Sequence, residues 1–283
     1  MSNDFNAPVI EEFRANGGRV GGWFEGGRLV LLTTTGARSG KPHTVPLGYL
    51  PDGGKRILVI ASAGGAPHHP AWYHNLVAHP VVTVEDGTFT YEATAAVLTG
   101  EERDRAFARA VETDPGWAGY EARSGRALPV VALAAIPAPP RTNATSMGGA
   151  LTLIHDAFRR ELGLIRAEVA KSGPVLGAQL RVNCLTLCQG LHVHHTMEDG
   201  SLFVGLGDQR PDLAPVLDRL RAEHEAIAAL LARLREVLGA TDVEPAAVRH
   251  EVDRLTAEVE RHLAYEEEQL IPILDGAGQA HGQ

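Results

Sequence analysis

Residues 191–199 read Leu-His-Val-His-His-Thr-Met-Glu-Asp, and this stretch decides how the second half of the chain folds. Apolar residues precede it at helical spacing, and the same spacing continues to His194 and Glu198, on the face that should be buried. An unpaired polar group in a core costs about 1–3 kcal/mol, and a cation bound by both side chains would remove that cost. For this stretch alone, the alternative is a solvated, histidine-rich helix end.

Three further segments keep the three-and-four spacing of a helix-bundle seam, and each places a histidine in that seam. The three histidines are His155, His224 and His262, and Glu266 lies one turn after the last of them. Histidines and glutamates distributed over four helices indicate a bundle with converging metal ligands. Tetrahedral zinc needs about four ligands, whereas six or more mixed nitrogen and oxygen ligands suit two octahedral ions, with iron favoured.

Acidic residues beside these histidines complete a longer pattern. Its pieces are His155-Asp156, His194-His195-x-x-Glu198-Asp199, Glu223-His224 and His262-x-x-x-Glu266-Glu267. With them, residues from about 146 to 275 resemble a hemerythrin-like domain of the HHE type. The resemblance implies a bridged di-iron site that binds dioxygen, nitric oxide or peroxide, or that senses iron.

One departure from that resemblance concerns the third helix of the bundle. Hemerythrins proper have a second histidine there, but Leu220 and Ala228 stand one turn either side of His224 and cannot bind a metal. Either the site has an open position, or His195 beside the seam supplies the ligand. An open position would favour chemistry over simple oxygen carriage.

The composition is that of an ordinary globular protein, with 283 residues, 44% of them hydrophobic, and a net charge of −9. This length suggests two domains, and the lack of a basic block argues against nucleic acid as a partner. No signal-peptide pattern and no apolar run near the roughly 20 residues of a membrane span are visible, so we expect a cytoplasmic protein. Cys184 and Cys188 are interpreted as reduced packing residues, with a redox role near the metals as the alternative. The sequence leaves the oligomeric state open.

The first half of the chain predicts strands joined by hairpins. The predicted strands are 28–35, 45–50, 56–62, 81–85, 88–97 and 129–136, and the predicted helices are 5–15, 70–79 and 101–113. Asp86-Gly87 lies between two strand-like runs and is a strong hairpin signal. Such an order favours an α+β class with an antiparallel barrel rather than a doubly wound sheet.

The second half predicts an up-down four-helix bundle over residues 147–275, after a first domain at 1–137 and a proline-rich, semi-rigid linker at 138–146. The expected helix separators are 171–174, 205–211 and 239–245, and Pro272 is expected to end the last helix. The expected N-caps are Thr145 or Ser146 for the first helix and Thr241 or Asp242 for the fourth.

Two loops of the first domain have the composition of a ligand site. Residues 33–41 combine hydroxyls, two glycines and two cations, which can face a phosphate, although an ordinary turn is the alternative. Their glycine spacing fits neither a P-loop nor a dinucleotide fingerprint. Residues 62–75 place five aromatic or imidazole rings beside Gly64-Gly65, where a flat ligand could approach the backbone. Zinc binding by His68, His69 and His74 is conceivable there, and ordinary loop packing is the alternative.

The longer motifs of this half are Leu31-Leu-Thr-Thr-Thr-Gly-Ala-Arg-Ser-Gly-Lys41, Pro46-Leu-Gly-Tyr49, the run from Gly64 to Leu76, His79-Pro80 and Pro129-Val-Val131. With them, residues 9 to about 137 resemble the deazaflavin-dependent nitroreductases, a split β-barrel oxidoreductase family. The resemblance implies binding of coenzyme F-420, a deazaflavin with a phosphate and an acidic oligoglutamate tail. It also implies hydride transfer to a quinone- or nitro-type acceptor, chemistry that belongs to the cofactor.

The resemblance also implies roles for individual residues. The cofactor-binding residues would be Thr34, Thr35, Arg38, Lys41, Ser62, Gly64, Gly65 and Trp72. Among them, Arg38 and Lys41 would hold the phosphate and tail, and Ser62, Gly64 and Gly65 would line the ring system. Tyr120 and Trp117 would line the substrate pocket. His43 stands where the family usually has arginine, and Asp114 and Trp117 replace positions often filled by tyrosine.

We therefore expect a deazaflavin-dependent oxidoreductase fused to a di-iron bundle, in which reducing equivalents pass to a small-molecule acceptor or to the iron site. The expected metal ligands are His155, His194, Glu198, His224, His262 and Glu266, with His195 as a further candidate. The rival hypotheses are a non-enzymatic oxygen, nitric oxide or iron sensor, and a reductase that uses FMN.

Overall fold

The computed structural model describes residues 3–54, 56–138, 140–240 and 243–277. The chain divides into two compact units, one of Met1–Asn143 with Gly177–Val182 and one of Ala144–Leu176 with Asn183–Gln283. The domain limits taken from the sequence, 1–137 and 147–275, stay a prediction. None of the described helices is both long and apolar enough to cross a membrane.

The first unit is built on one antiparallel sheet. Its strands are β1 (Leu29–Thr35), β2 (Pro42–Pro51), β3 (Arg56–Ile60), β4 (Val81–Glu85), β5 (Phe89–Val97), β6 (Val130–Ala135) and β7 (Arg141–Thr142). They lie in the order β4-β1-β2-β3-β6-β5-β7, and an additional pairing of β4 with β5 closes six of them into a barrel. The predicted α+β class with an antiparallel barrel is confirmed.

The β4–β5 hairpin shows why the sequence turns where it does. The Asp86 carboxylate accepts the backbone N–H groups of Thr88 and Phe89, at 2.9 and 2.8 Å. Gly87 has a φ of 96°, and a Cβ there would lie 2.5 Å from the backbone oxygen of Gly17. Both the backbone conformation and the close approach therefore require glycine.

Strand β1 is buried on both faces, which explains its continuous apolar run. Val30 and Leu32 pack inside the barrel with residues of the other strands, and the helix residues Trp72 and Leu76 join the same core. The opposite face of β1 packs against Phe13. The described helices of this unit are α1 (Asn3–Ala15), α2 (Ala71–Ala78), α3 (Gly100–Thr113) and α4 (Gly116–Ser124).

Helix α4 was not predicted, because two glycines and a serine in nine residues mask its helical signal. Its start is stabilised by Asp114, whose carboxylate accepts the N–H of Gly116 at 2.8 Å. Asp114 was noted as a departure from the family pattern in the substrate pocket. In the structure it stabilises the helix that carries Trp117 and Tyr120.

The second unit is an all-α up-down bundle, as predicted. Its helices are α5 (Met147–Lys171), α6 (Ala178–Met197), a π-helical segment (Glu198–Leu202), α7 (Phe203–Gln209), α8 (Ala214–Gly239) and α9 (Pro245–Ala277). Ser146 caps α5 by accepting the N–H of Gly149 at 3.0 Å. The cap expected at Thr241 or Asp242 lies outside the described residues.

Two boundary predictions were wrong. Residues 205–211 were expected to separate two helices, but α7 continues to Gln209 because the π-helical segment carries the backbone on from α6. Pro272 lies inside α9 and does not end it, because burial of Leu270 and Leu274 on either side outweighs the cost of one proline. Within the predicted linker, Arg141–Thr142 form β7 and pair with Phe89–Thr90.

Candidate cofactor and metal sites

The bundle brings the predicted metal ligands together in its core. One group is His195, Glu198, His224 and His262, and the other is His155, His194, Glu198 and Glu266. Within each group, one ligand atom from every residue lies within 4.8 Å of the others. All seven predicted residues, including His195, take part, and Glu198 belongs to both groups. The donor set of five imidazoles and two carboxylates therefore has room for two cations that share a carboxylate.

Distances around the two glutamates support a shared arrangement. One oxygen of Glu198 lies 3.1 Å from Nε2 of His194, and the other lies 3.6 Å from Nε2 of His224. Similarly, Oε2 of Glu266 lies 3.4 Å from Nε2 of His155 and 3.6 Å from Nε2 of His262. Each carboxylate thus lies between histidines of different helices, as a bridging ligand would.

Many of these buried atoms have no hydrogen-bond partner among the described residues. They are Nε2 of His155, His194 and His195, and both carboxylate oxygens of Glu198 and Glu266. A buried polar group left unpaired costs about 1–3 kcal/mol, so native structures rarely leave several in one place. The unpaired atoms all belong to the two groups, and the donor set therefore fits bound cations.

His195 lies among the possible ligands beside the third helix. Its ring stacks on His224, with ring centroids 4.1 Å apart and planes at 11°. The side chain is buried. This placement is compatible with His195 as a ligand from α6, and whether it binds a metal or leaves an open position stays a prediction. The neighbouring His192 points outward and is exposed.

Three carboxylates outside the two ligand groups contact Nδ1 of histidines inside them. Nδ1 of His155 lies 2.8 Å from Glu267, and Nδ1 of His224 lies 2.9 Å from Asp199. Nδ1 of His262 lies 3.1 Å from Glu223. A carboxylate at Nδ1 favours the tautomer that leaves Nε2 free to bind a metal. Glu267, Asp199 and Glu223 belong to the bundle motifs in the sequence, but their contacts with the histidines were not predicted.

The π-helical segment explains how Glu198 can belong to the ligand groups while the adjacent Asp199 contacts a ligand histidine. It starts at Glu198, which is buried, and it includes Asp199, which reaches His224. An inserted π-turn rotates the following residues relative to an α-helix, and such turns are frequent at functional sites. No signal in the sequence reasoning identified this local change of helix type.

Burial and mutual proximity shift the pKa values of the group. Burial, reinforced by the nearby Glu266, raises the pKa of Glu198 to about 10. Burial also lowers the pKa of His194 to about 3 and lowers that of His195, because neighbouring imidazoles oppose a second positive charge. Burial thereby holds His194 and His195 neutral, which is the form that binds metals, while a cation would displace the proton of Glu198.

In the first unit, Thr34 and Asn75 fix the loop between β1 and β2. The Asn75 amide donates to the Thr34 hydroxyl at 3.0 Å, and its oxygen accepts the N–H of Ala37 at 3.0 Å. Asn75 is buried and was not singled out from the sequence. Thr34 and Thr35, two predicted cofactor residues, line a groove of about 480 Å³ together with His79.

The two predicted phosphate-binding cations lie on this loop. Arg38 and Lys41 are exposed, and neither side chain has an ion pair or hydrogen bond within the described part of the chain. His43, which replaces the usual arginine, is also exposed and lies 3.2 Å from the Ser39 hydroxyl. The loop therefore presents two cations that are free to meet an anion.

The predicted ring-binding residues form a tight turn beside α4. Ser62 accepts the N–H of Gly64 at 3.4 Å, and Gly65 lies so close to Arg123 that a Cβ would meet its Nε at 2.8 Å. The Arg123 guanidinium lies 4.9 Å from the ring centre of Tyr120. The structure thus places Gly64 and Gly65 close to Tyr120, the tyrosine that was predicted to line the substrate pocket.

Three sequence-based roles in this unit need correction or refinement. Trp72 is 6% exposed and packs into the barrel core, so its ring has almost no surface left for a cofactor. Trp117 is partly buried against a second core cluster and lies 5.8 Å from Tyr120, ring to ring. The histidines His69 and His74 pack with Tyr73, and the described residues form no metal-binding group there, which favours loop packing over zinc.

Comparisons with known proteins divide the chain in the same way. A family model described as F420H(2)-dependent quinone reductase matches residues 8–135, and one described as hemerythrin HHE cation binding domain matches residues 149–274. An F420H(2)-dependent quinone reductase of Mycobacterium tuberculosis is 35% identical over 125 residues, which cover 43% of this chain and 83% of the relative. A sequence from Mycobacterium bovis matches with the same identity and coverage.

Among solved structures, an F420-H2 dependent reductase (FDR-A) is 43% identical to this chain. The match covers 38% of this chain and 93% of that one, with a TM-score of 0.35. By its identity to the curated relatives and its match to the two family models, the chain belongs to the F420H(2)-dependent quinone reductases, a family of oxidoreductases, and carries a hemerythrin HHE domain later in its sequence.

Proposed function

We propose that the first unit binds reduced coenzyme F-420 and reduces a quinone- or nitro-type acceptor, while the bundle holds two iron ions that handle dioxygen, nitric oxide or peroxide. Family membership supports the reductase, with the family match at residues 8–135. The observation that carries the iron site is the set of buried, unpaired nitrogen and oxygen atoms shared by two ligand groups in residues 147–275.

Binding of the anionic part of the cofactor rests on the β1–β2 loop. Arg38 and Lys41 are exposed and unpaired among the described residues, so neither must break an internal ion pair to meet a phosphate or a carboxylate tail. Asn75 fixes the backbone of this loop at Ala37. A charge-assisted hydrogen bond to an anion contributes about 1.5–3 kcal/mol.

Binding of the flat ring rests on the turn at Ser62–Gly65. Gly64 is exposed and has no side chain, so a planar ligand can contact the backbone there, whereas the Arg123 side chain already lies beside Gly65. Tyr120 and Trp117 on α4 would shape the acceptor pocket beside it. A reduced deazaflavin supplies the hydride when bound, and the protein contributes binding, orientation and exclusion of water.

Binding of iron rests on the chemistry of the donor set. Five imidazoles and two carboxylates exceed what one tetrahedral ion can use, and mixed nitrogen and oxygen ligands suit iron. Glu267, Asp199 and Glu223 lie at Nδ1 of three of these histidines, His155, His224 and His262, and favour the tautomer with a free Nε2. The apolar seams of the four helices surround the ligands and limit the access of water.

The experiment combines metal analysis with steady-state kinetics on the intact protein. After expression with ample iron, elemental analysis should find about two iron ions per chain, and zinc alone or no metal would contradict the iron site. Reduced coenzyme F-420 should be oxidised faster when a quinone is added. A rate of cofactor oxidation that no acceptor increases would favour a sensor. Turnover with reduced FMN alone would favour the flavin alternative.

A further inference from the structure

The turn at the proposed ring site is held in an unfavourable backbone conformation. Ala63, Gly64 and Gly65 have φ values of 49°, 64° and 83°, all in the left-handed region. Ala63 is the non-glycine residue with a positive φ in the described part of the chain. A Cβ makes this region costly, so such residues persist only where the surrounding structure holds them.

Arg126 provides that support from behind the turn. Its Nη2 donates to the backbone oxygens of Ala61, Ser62 and His68, at 3.1, 3.3 and 2.9 Å. These oxygens lie at both ends of the segment 61–68, so one guanidinium closes the segment. Nε and Nη1 of Arg126 are buried and have no hydrogen-bond partner among the described residues. Among the described residues, the Arg126 guanidinium therefore hydrogen-bonds to the carbonyls of the turn segment and to no carboxylate.

The end of α4 places Arg126 there. Gly125 has a φ of 64° and ends the helix. The Ser124 hydroxyl lies 2.9 Å from the backbone oxygen of Glu121 and 3.1 Å from that of Arg126, which fixes the following residues. Arg123, on the last turn of α4, reaches the backbone oxygen of Gly64 at 3.4 Å.

We propose that Arg126 is a positioning residue that holds the left-handed turn at Ala63–Gly65 and so shapes the backbone surface against which the deazaflavin ring binds. The part that concerns the cofactor rests on the proposed function. All three carbonyl contacts come from one guanidinium nitrogen, Nη2, so a lysine ammonium at this position should keep part of them.

Hydrogen exchange of the intact protein tests the proposal without any cofactor. The N–H groups of Gly65 and Ala66 donate to the oxygens of Ser62 and Ala63, at 3.0 and 3.2 Å, and report the turn. In Arg126→Met, exchange of both amides should rise about tenfold, the equivalent of about 1.4 kcal/mol, while the barrel amides stay protected. The control is Arg105→Met, an exposed arginine on α3. Unchanged exchange in Arg126→Met would overturn the proposal.

A second substitution separates positioning from a general loss of stability. Glycine adopts left-handed backbone readily, so Ala63→Gly in the Arg126→Met background should restore amide protection and part of the cofactor affinity. Binding of coenzyme F-420 should weaken about tenfold in Arg126→Met and less in Arg126→Lys. If the methionine variant does not fold, the lysine variant replaces it, with a smaller rise in amide exchange as the expected result and unchanged exchange as the result against the proposal.

The outcomes are separable. Absence of coenzyme F-420 binding by the unsubstituted protein would reject the proposed function, while the exchange measurement would still decide the role of Arg126. Failure of Ala63→Gly to restore amide protection would reject the positioning role, even if cofactor binding is normal in the unsubstituted protein.

Discussion

Replacing His195 by alanine should lower the iron content from about two ions per chain to about one. His195 belongs to one ligand group, together with Glu198, His224 and His262, and the other group does not use it. The converse change, His194→Ala, should remove the other ion. Glu198→Gln should weaken both, because this carboxylate is common to the two groups.

The size of the stability effect follows from linkage between metal binding and folding. Three imidazole nitrogens and four carboxylate oxygens are buried without partners among the described residues, and bound cations would give them ligand bonds. An ion present at about 100 times its Kd stabilises the folded state by about 2.7 kcal/mol. Losing one such ion should lower the melting temperature by about 10 °C for a unit of this size.

The assay compares iron content and melting temperature of His195→Ala with those of His192→Ala, the matched control. His192 is on the same helix but exposed, so its replacement should leave both quantities unchanged. The reasoning would be refuted by full iron content in His195→Ala, or by equal losses in the two variants. A chelator should bring the unsubstituted protein below the melting temperature of His195→Ala.

Three further predictions follow from exposure and burial. Arg38→Ala should weaken deazaflavin binding by about 1–3 kcal/mol at low salt and by less at high salt. Fluorescence titration measures the affinity, with Arg105→Ala as the control. Unchanged affinity at low salt would count against this contact. Anaerobic mixing of reduced coenzyme F-420 with the iron-loaded protein should reduce the ferric iron as the cofactor is oxidised, and more slowly in Arg38→Ala; iron that stays ferric would leave two independent activities. Burial raises the pKa of the Cys188 thiol to about 11, so neither Cys188 nor the buried Cys184 should be alkylated at about pH 8 until the protein unfolds, and rapid alkylation of the native protein would contradict a packing role.

The helical seams of the bundle could be predicted because their signal is local. A repeat of 3.6 residues places the same side chains on one face whatever the helix packs against, and the seam residues around His224 and His262 are buried as expected. The β4–β5 hairpin is local in the same sense, since the two turn residues specify it. Both kinds of element were predicted correctly from short windows of sequence.

Helix ends were predicted less well, because they depend on what the neighbouring backbone does. Pro272 and the glycines at 205 and 207 are helix breakers in isolation, yet helices continue through all three positions. Packing of apolar side chains such as Phe203 and Leu274 outweighs the propensity of a single residue. Helix α4 escaped prediction for the converse reason, since its weak propensity is offset by packing of Trp117 and Tyr120.

The ligand sets of both candidate sites depend on contacts between distant segments. His195 is adjacent to a seam histidine, but only the packing of α6 against α8 places its ring on His224. Glu223 lies on α8 but contacts His262 on α9. Arg126 supports a turn that lies much earlier in the chain, since its partner Ser62 is 64 residues away. Periodicity fixes which face of a helix a residue occupies, whereas the rotation of each helix against its neighbours sets which atoms meet. That rotation results from the packing of the whole core, and no short window of sequence contains it.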